Sequence, residues 1–371
     1  MRLHPVDGDD PRAVRDALPA ALDGARPLAL GFAPTPREAV PAGTAVVIAT
    51  SGSSGIPKRV VLSAAALRAS AAATAARIGS GQWMLALPAA YIAGVQVLGR
   101  SLLAGIDPVL LEGRFAPDAF VRATRALRAD ADRFTSFVPA QLATLLDAAD
   151  EQPAVRSALA SYRAILIGGQ SLPGALHARA TAAGVTIVRT YGSSETAGGC
   201  VYDGVPLDGV GVAEVDGEVR LSGPMLADGY LGDDERTAQV FVTGPDGVRW
   251  YRTGDAGTIA PDGRLAITGR IDNVIVSGGI NVSLDRVERV VRGIPGLEHA
   301  VVVGVPDERW GQASVIFADV QGGERLLATA RARVETEIGR HARPARLRAE
   351  EVPVLASGKP DREALRRRAT G

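Results

Sequence analysis

A chain of 371 residues has room for about two to three domains, and 46% hydrophobic with 22% charged residues is an ordinary globular composition. Basic and acidic residues number 41 each, which excludes a nucleic-acid binder working through bulk positive charge and a disordered polyelectrolyte. One cysteine, Cys200, excludes an intrachain disulfide framework and a cysteine-rich metal site, and the histidines His4, His177, His299 and His341 lack metalloprotease spacing.

The first residues are acidic and hold no apolar core, so no signal peptide is expected. The longest apolar run, 83–99, is interrupted by Pro88, Gly94 and Gln96 and reads as strand, turn and helix, not as a membrane span. A cytoplasmic enzyme without membrane insertion is the expectation. Buried strands are predicted at 45–49, 84–87, 134–138, 164–167 and 185–188, and helices at 64–78, 118–129, 140–148 and 173–183. Apolar strands alternating with helices imply parallel sheets covered on both faces. Between 205 and 268, frequent glycines and short strand-like segments read as antiparallel or barrel material. From 273 the pattern becomes strand, glycine turn, helix (284–293), strands (300–305 and 314–318), a further helix and a basic tail. The expected fold is α/β: a large N-terminal domain, 1–271, of layered, mostly parallel sheets with helices plus a small β-barrel-like region. A small α+β domain, 272–371, follows it.

Directly after the strand at 45–49 comes Thr50-Ser51-Gly52-Ser53-Ser54-Gly55-Ile56-Pro57-Lys58. Glycines let a backbone fold so that its N–H groups point at an anion, and the hydroxyls and the lysine add donors and charge. The spacing is not that of a Walker A loop. Lys58 and Lys359 are the only lysines; every other basic residue is an arginine. A compact ammonium differs from a planar guanidinium, so these two positions are expected to need a lysine for its chemistry.

The loop resembles the phosphate loop of the adenylate-forming superfamily, which contains acyl-CoA synthetases, peptide-synthetase adenylation domains and luciferases. Further stretches are similar to that family in the same order: Tyr191-Gly192-Ser193-Ser194-Glu195-Thr196, Tyr251-Arg252-Thr253-Gly254-Asp255, Gly269-Arg270-Ile271-Asp272-Asn273, Ser277-Gly278-Gly279 and Ser357-Gly358-Lys359. The resemblance implies an ATP-dependent enzyme that joins a carboxylate to AMP and passes the acyl group to a thiol. Coenzyme A is then a co-substrate, and Mg²⁺ sits on Glu195. Bringing a carboxylate against a triphosphate makes charge neutralisation and alignment the main tasks.

By the same resemblance, Lys359 and Glu195 are the candidate catalytic residues. Thr50, Ser51, Gly52, Ser53, Ser54, Gly55 and Lys58 are expected on the phosphates. Gly169, Gln170, Tyr191, Gly192, Ser193, Ser194 and Thr196 are expected around the nucleotide, with Asp255 and Arg270 on its ribose or phosphate. Asp272 is the expected pivot between two half-reactions, and Gly278 and Gly279 the expected CoA side. The acyl pocket is expected to use Tyr91, Gly94, Arg100 and Gln141, the last two as partners for a second carboxylate. Three stretches, 91–105, 136–146 and 193–210, are most similar to the 2-succinylbenzoate–CoA ligase branch of menaquinone biosynthesis in its short form. The implied reaction turns 2-succinylbenzoate, ATP and CoA into 2-succinylbenzoyl-CoA, AMP and pyrophosphate. Another aryl or fatty acid–CoA ligase, or an amino-acid adenylating enzyme that loads a carrier protein, stays open. Its partners are then small molecules, not nucleic acid; a homodimer stays open too. Tyr91 stands where many relatives carry histidine, Asn273 replaces a second hinge aspartate and Val276 replaces a lysine.

Overall fold

The computed structural model describes residues 1–50, 58–355 and 359–370. It divides into two compact units, one made of Met1–Ala213, Arg220–Thr253 and Ala260–Leu265, the other of Glu214–Val219, Gly254–Ile259 and Ala266–Gly371. Among the described residues, no helix is long and apolar enough to cross a membrane.

Among the described residues, two sheets lie wholly within the first unit. The larger runs in the order Val205–Pro206, Gly198–Tyr202, Ile187–Ser193, Ala164–Ile167, Arg133–Phe137, Gln82–Leu85, Val109–Leu110. Its strands from Ile187–Ser193 onwards are parallel, while Gly198–Tyr202 and Val205–Pro206 are antiparallel additions at one edge. Gln82–Leu85 and Ala164–Ile167 are buried along their whole length, as strands covered on both faces must be. On one face, Phe120 of helix Pro117–Ala126, Leu142 and Leu146 of helix Pro139–Glu151 and Leu159 of helix Pro153–Ala160 pack with Phe137 and Ile165. Phe120 lies edge-on to Phe137 and stacks on Tyr162; such aromatic pairs add about 0.5–1.5 kcal/mol each beyond area burial. The smaller sheet runs His4–Val6, Leu28–Leu30, Thr44–Thr50, Lys58–Ser63, Gly229–Tyr230.

Helix Ala64–Ile78 coincides with its expected span because both ends are marked. Ser63 caps the first turn through Ala66 N at 3.1 Å, and Gly79 stops the last. The strand expected at 185–188 instead begins at Ile187 and continues through Ser193. Its polar second half reads as a turn, yet it pairs with Gly198–Tyr202. The sequence pattern also passes over helix Pro11–Leu22, although Asp10 caps it through Arg12 N and Pro11 opens it.

The stretch between 205 and 268 folds into the short strands expected of it: Gly211–Val215, Glu218–Ser222, Phe241–Thr243, Arg249–Ile259 and the start of Leu265–Arg270. In the second unit, strands Val301–Asp307 and Gly311–Ala318 pair antiparallel and divide two cores by alternation. Val302 and Ile316 face helices Leu284–Arg292 and Gly323–Glu337, whereas Val301, Val303, Val315 and Phe317 face Leu365 and Ala369 of helix Arg362–Thr370. This is the α+β architecture expected after the strand-rich middle of the chain.

Candidate active site

The parallel strands of the large sheet end on one edge, where ligands collect in open α/β sheets. Several sequence candidates are brought there. Gly169 and Gln170 follow strand Ala164–Ile167 directly. Tyr191, Gly192 and Ser193 form the end of strand Ile187–Ser193, and Ser194, Glu195 and Thr196 make the single 3₁₀ turn after it. A Cβ on Gly192 would lie 2.2 Å from Gly198 O, so no larger residue fits this pairing. Thr196 Oγ1 accepts from Ser193 N at 2.8 Å and lies 2.8 Å from Gly198 O, locking the turn. Tyr91 is the N-cap of helix Ile92–Leu103, and Gly94 packs in its first turn against the Pro88–Ala89 backbone.

Gln141 reaches this edge as a structural clasp. Its Nε2 donates to Ala86 O at 2.8 Å and its Oε1 accepts from Val138 N at 3.1 Å. Arg100 is not brought there. It lies nine residues, about 13 Å along the helix axis, beyond Tyr91, level with Trp83, whose N–H donates to the neighbouring Ser101 Oγ at 3.2 Å. Its guanidinium sits 5.1 Å from the Trp83 ring and 3.4 Å from Tyr202 OH, and Nε has no acceptor among the described residues. Burial pushes this guanidinium below its ordinary pKa. The expectation that Arg100 meets a substrate carboxylate is therefore corrected: its place in the core is set by an aromatic face and a phenol.

Thr50 and Lys58 face each other in register at the ends of strands Thr44–Thr50 and Lys58–Ser63. Ser51, Gly52, Ser53, Ser54 and Gly55 lie outside the described residues. Lys58 Nζ is 5.6 Å from the ring centroid of Tyr230, within cation–π reach. Tyr230 in turn donates from its hydroxyl to Glu195 Oε1 at 2.9 Å, and Ala227 N donates to Glu195 O at 2.8 Å. Glu195 and Tyr230 are both buried. Burial, then the Glu195 charge, push the Tyr230 phenol well above its ordinary pKa, so it stays protonated as a donor. Arg249 holds the same segment through Ala227 O at 2.8 Å and Asp228 O at 2.9 Å. No group of three or more metal-ligating side chains converges among the described residues. A single buried carboxylate suits a cation that keeps waters and phosphate oxygens in its shell, as Mg²⁺ does.

In the second unit, Asp255, Arg270 and Asp272 meet. Arg270 Nη1 lies 3.2 Å from Asp255 Oδ1, and Nε lies 2.9 Å from Asp272 Oδ1. The hydrogen bond to Asp272, ahead of the Asp255 charge, raises the Arg270 pKa further. Arg270 N donates to Asp285 Oδ2 at 2.7 Å, and Asn273 Nδ2 donates to Asp285 Oδ1 at 2.8 Å. Asn273 thus fastens the segment to helix Leu284–Arg292. Gly278 and Gly279, at φ +58° and +80°, form the two-residue turn between strands Val274–Ser277 and Ile280–Ser283; two positive φ angles are what a type I′ hairpin needs. Trp310, half exposed, lies beside Gly278, whose N–H donates to Trp310 O at 2.9 Å. Lys359 is exposed, and its carbonyl accepts from Leu355 N at 2.8 Å. Ser357 and Gly358 lie outside the described residues.

Sequence reasoning passed over Tyr230, Arg249 and Asp285. None of the stretches quoted above contains them, and each reaches its partner through strand or helix packing.

The family described as AMP-binding enzyme matches residues 6–231, and its C-terminal domain matches residues 286–359. A Mycobacterium tuberculosis protein named "Probable 2-succinylbenzoate–CoA ligase" is 38% identical over 391 aligned residues, covering 100% of this chain and 98% of that one. The structure of amide bond synthetase McbA from Marinactinospora thermotolerans superposes with a TM-score of 0.76 at 28% identity, covering 99% of this chain and 85% of that one. The fold is shared as well with O-succinylbenzoate coenzyme A synthetase (MenE) from Bacillus subtilis in complex with AMP, at a TM-score of 0.73 and 23% identity over 96% of this chain and 81% of that one. The chain belongs to the AMP-binding enzyme family.

Proposed function

We propose that the protein is an ATP-dependent carboxylate–CoA ligase whose acid is 2-succinylbenzoate. The observation that carries this reading is the 38% identity that runs the whole length of both this chain and a relative bearing that name. In the first step a carboxylate oxygen of the acid attacks the α-phosphorus of ATP, and the bond to pyrophosphate breaks. In the second the CoA thiolate attacks the acyl carbon, and AMP leaves. Lys58 neutralises phosphate charge. Glu195 would hold Mg²⁺, which would supply positive charge against the phosphates. Gly169, Gln170 and Tyr191 line the adenine side, and Asp255 accepts from the ribose hydroxyls while Arg270 holds it in place. Lys359 bridges the attacking carboxylate and the α-phosphate, a task for a mobile point charge. Asp272 is the pivot between the steps, and Gly278 and Gly279 face the CoA arm. The domain boundary at 271/272, a cytoplasmic setting and small-molecule partners belong to the same proposal.

Pyrophosphate release with 2-succinylbenzoate, benzoate or octanoate, each with and without CoA, tests the reading. Release driven by 2-succinylbenzoate, with a CoA thioester formed only when CoA is present, is expected. Preference for either other acid overturns the substrate; ADP in place of pyrophosphate and AMP overturns the reaction class. The likeness to an amide bond synthetase favours one second reading, capture of the same adenylate by an amine. An amide product formed where CoA gives no thioester would select it.

A further inference from the structure

Glu195 is a buried carboxylate whose only side-chain partner among the described residues is a neutral hydroxyl. A buried charge needs hydrogen bonds or an opposite charge to offset lost hydration. Here the compensation comes from one short segment, 227–230, that contacts both ends of the residue: Ala227 N on its carbonyl at 2.8 Å and Tyr230 OH on its Oε1 at 2.9 Å. Among the described residues, Oε2 has no partner. The segment is itself fixed. Asp228 N donates to Val61 O at 2.9 Å, Tyr230 N donates to Thr237 Oγ1 at 2.9 Å, and Gly229–Tyr230 pairs antiparallel with strand Lys58–Ser63. Tyr230 opposes Val60, so Lys58, two residues away, is its diagonal neighbour on the same face, which accounts for the ammonium over its ring.

We propose that Tyr230 is a positioning residue that couples the phosphate-loop lysine to the metal-binding acid: its hydroxyl commits Glu195 Oε1, leaving Oε2 for the cation, and its ring face seats Lys58. The proposal rests on the reading of Glu195 as the Mg²⁺ ligand. It goes beyond that reading by assigning the orientation of the carboxylate, and its spacing from Lys58, to a single tyrosine 35 residues away along the chain. A hydrogen bond of this kind fixes which carboxylate oxygen faces the ion, and loss of such an outer partner typically costs about 10–100-fold in metal affinity or activity.

The test is Mn²⁺ binding to the full chain with a non-hydrolysable ATP analogue, followed by electron paramagnetic resonance, for the parent protein, Tyr230→Phe, Tyr230→Leu and Glu195→Gln. Tyr230→Phe keeps the ring beside Phe241, whose centroid is 5.9 Å away, and deletes only the hydroxyl. It is expected to weaken Mn²⁺ about 10-fold while leaving metal-free affinity for the nucleotide analogue unchanged. Tyr230→Leu is expected to weaken both, because Lys58 also loses its seat. Mn²⁺ affinity unchanged in Tyr230→Phe, with Glu195→Gln losing it, overturns the proposal and leaves the Glu195 reading standing. Mn²⁺ affinity unchanged in Glu195→Gln overturns the Glu195 reading, and the proposal with it. If Tyr230→Phe does not fold, 3-fluorotyrosine at 230, a stronger donor of nearly the same shape, decides: a shift in Mn²⁺ affinity of about twofold or more supports the coupling, and none overturns it.

Discussion

The acid at 195 and the acids at 255 and 272 are held in opposite ways. Glu195 is buried, receives a neutral phenol hydroxyl and has no cation in contact among the described residues. Asp255 and Asp272 already share the guanidinium of Arg270. A buried carboxylate with a neutral donor but no cation beside it suits a cation from outside the chain, whereas acids paired with an internal arginine suit neutral donors. Under the proposed function, this difference would separate a metal-binding role from a hydroxyl-binding role by electrostatics rather than by residue type, since all three are carboxylates.

The largest effect expected is at the uncompensated acid and at Lys359. Glu195→Gln keeps the shape and the acceptor for Tyr230 but removes the charge, and Lys359→Ala removes the ammonium. Each should slow acyl-AMP formation about 100–1000-fold, the loss typical of a group stabilising transition-state charge. Single-turnover pyrophosphate release measures it. Next comes the pivot: Asp272→Pro should keep acyl-AMP formation within about threefold and lower CoA-thioester formation by about 100-fold or more, the signature of a blocked conformational step; equal loss of both would end the pivot reading. At the compensated acid, Asp255→Asn should raise the KM for ATP about 10-fold, in line with about 1.5–3 kcal/mol for a hydrogen bond to a charged group, with kcat nearly unchanged. If Asp255→Asn proves as damaging to kcat as Glu195→Gln, the contrast between the two acids fails. The smallest effect is on stability. Gly192→Ala forces a methyl group against Gly198 O and should cost about 1–3 kcal/mol, as overpacking does, read by urea denaturation.

Much of this was legible because the chemistry lies in contiguous runs. The motif containing Glu195, the Asp255 motif and the Arg270–Asp272 segment can each be read without knowing the fold. Helix Ala64–Ile78 was legible because Ser63 and Gly79 punctuate it. The polar half of strand Ile187–Ser193 was hidden, since its strand character comes from a partner, Gly198–Tyr202, that sequence alone does not pair with it. Tyr230 was hidden for the same reason: it lies 35 residues from Glu195, and only the pairing of Gly229–Tyr230 with Lys58–Ser63 delivers it. Arg100 misled because a charge in a substrate-facing helix suggests a ligand contact, while its depth along that helix, set by Trp83 and Tyr202, decides otherwise.

The last helix has a consequence of its own. Three residues after Lys359, Arg362 grips the buried Glu288 through Nη2 at 2.7 and 2.9 Å and Val302 O through Nη1 at 2.8 Å, and Leu365 is sealed in the core beneath. Lys359 is moored more closely still: its own carbonyl accepts from Leu355 N and Asp361 N donates to Pro353 O, each at 2.8 Å, and Val354 and Pro360 form an antiparallel bridge. The ammonium's reach is therefore that of the side chain itself, and Arg362→Ala would loosen the helix behind it without lengthening that reach.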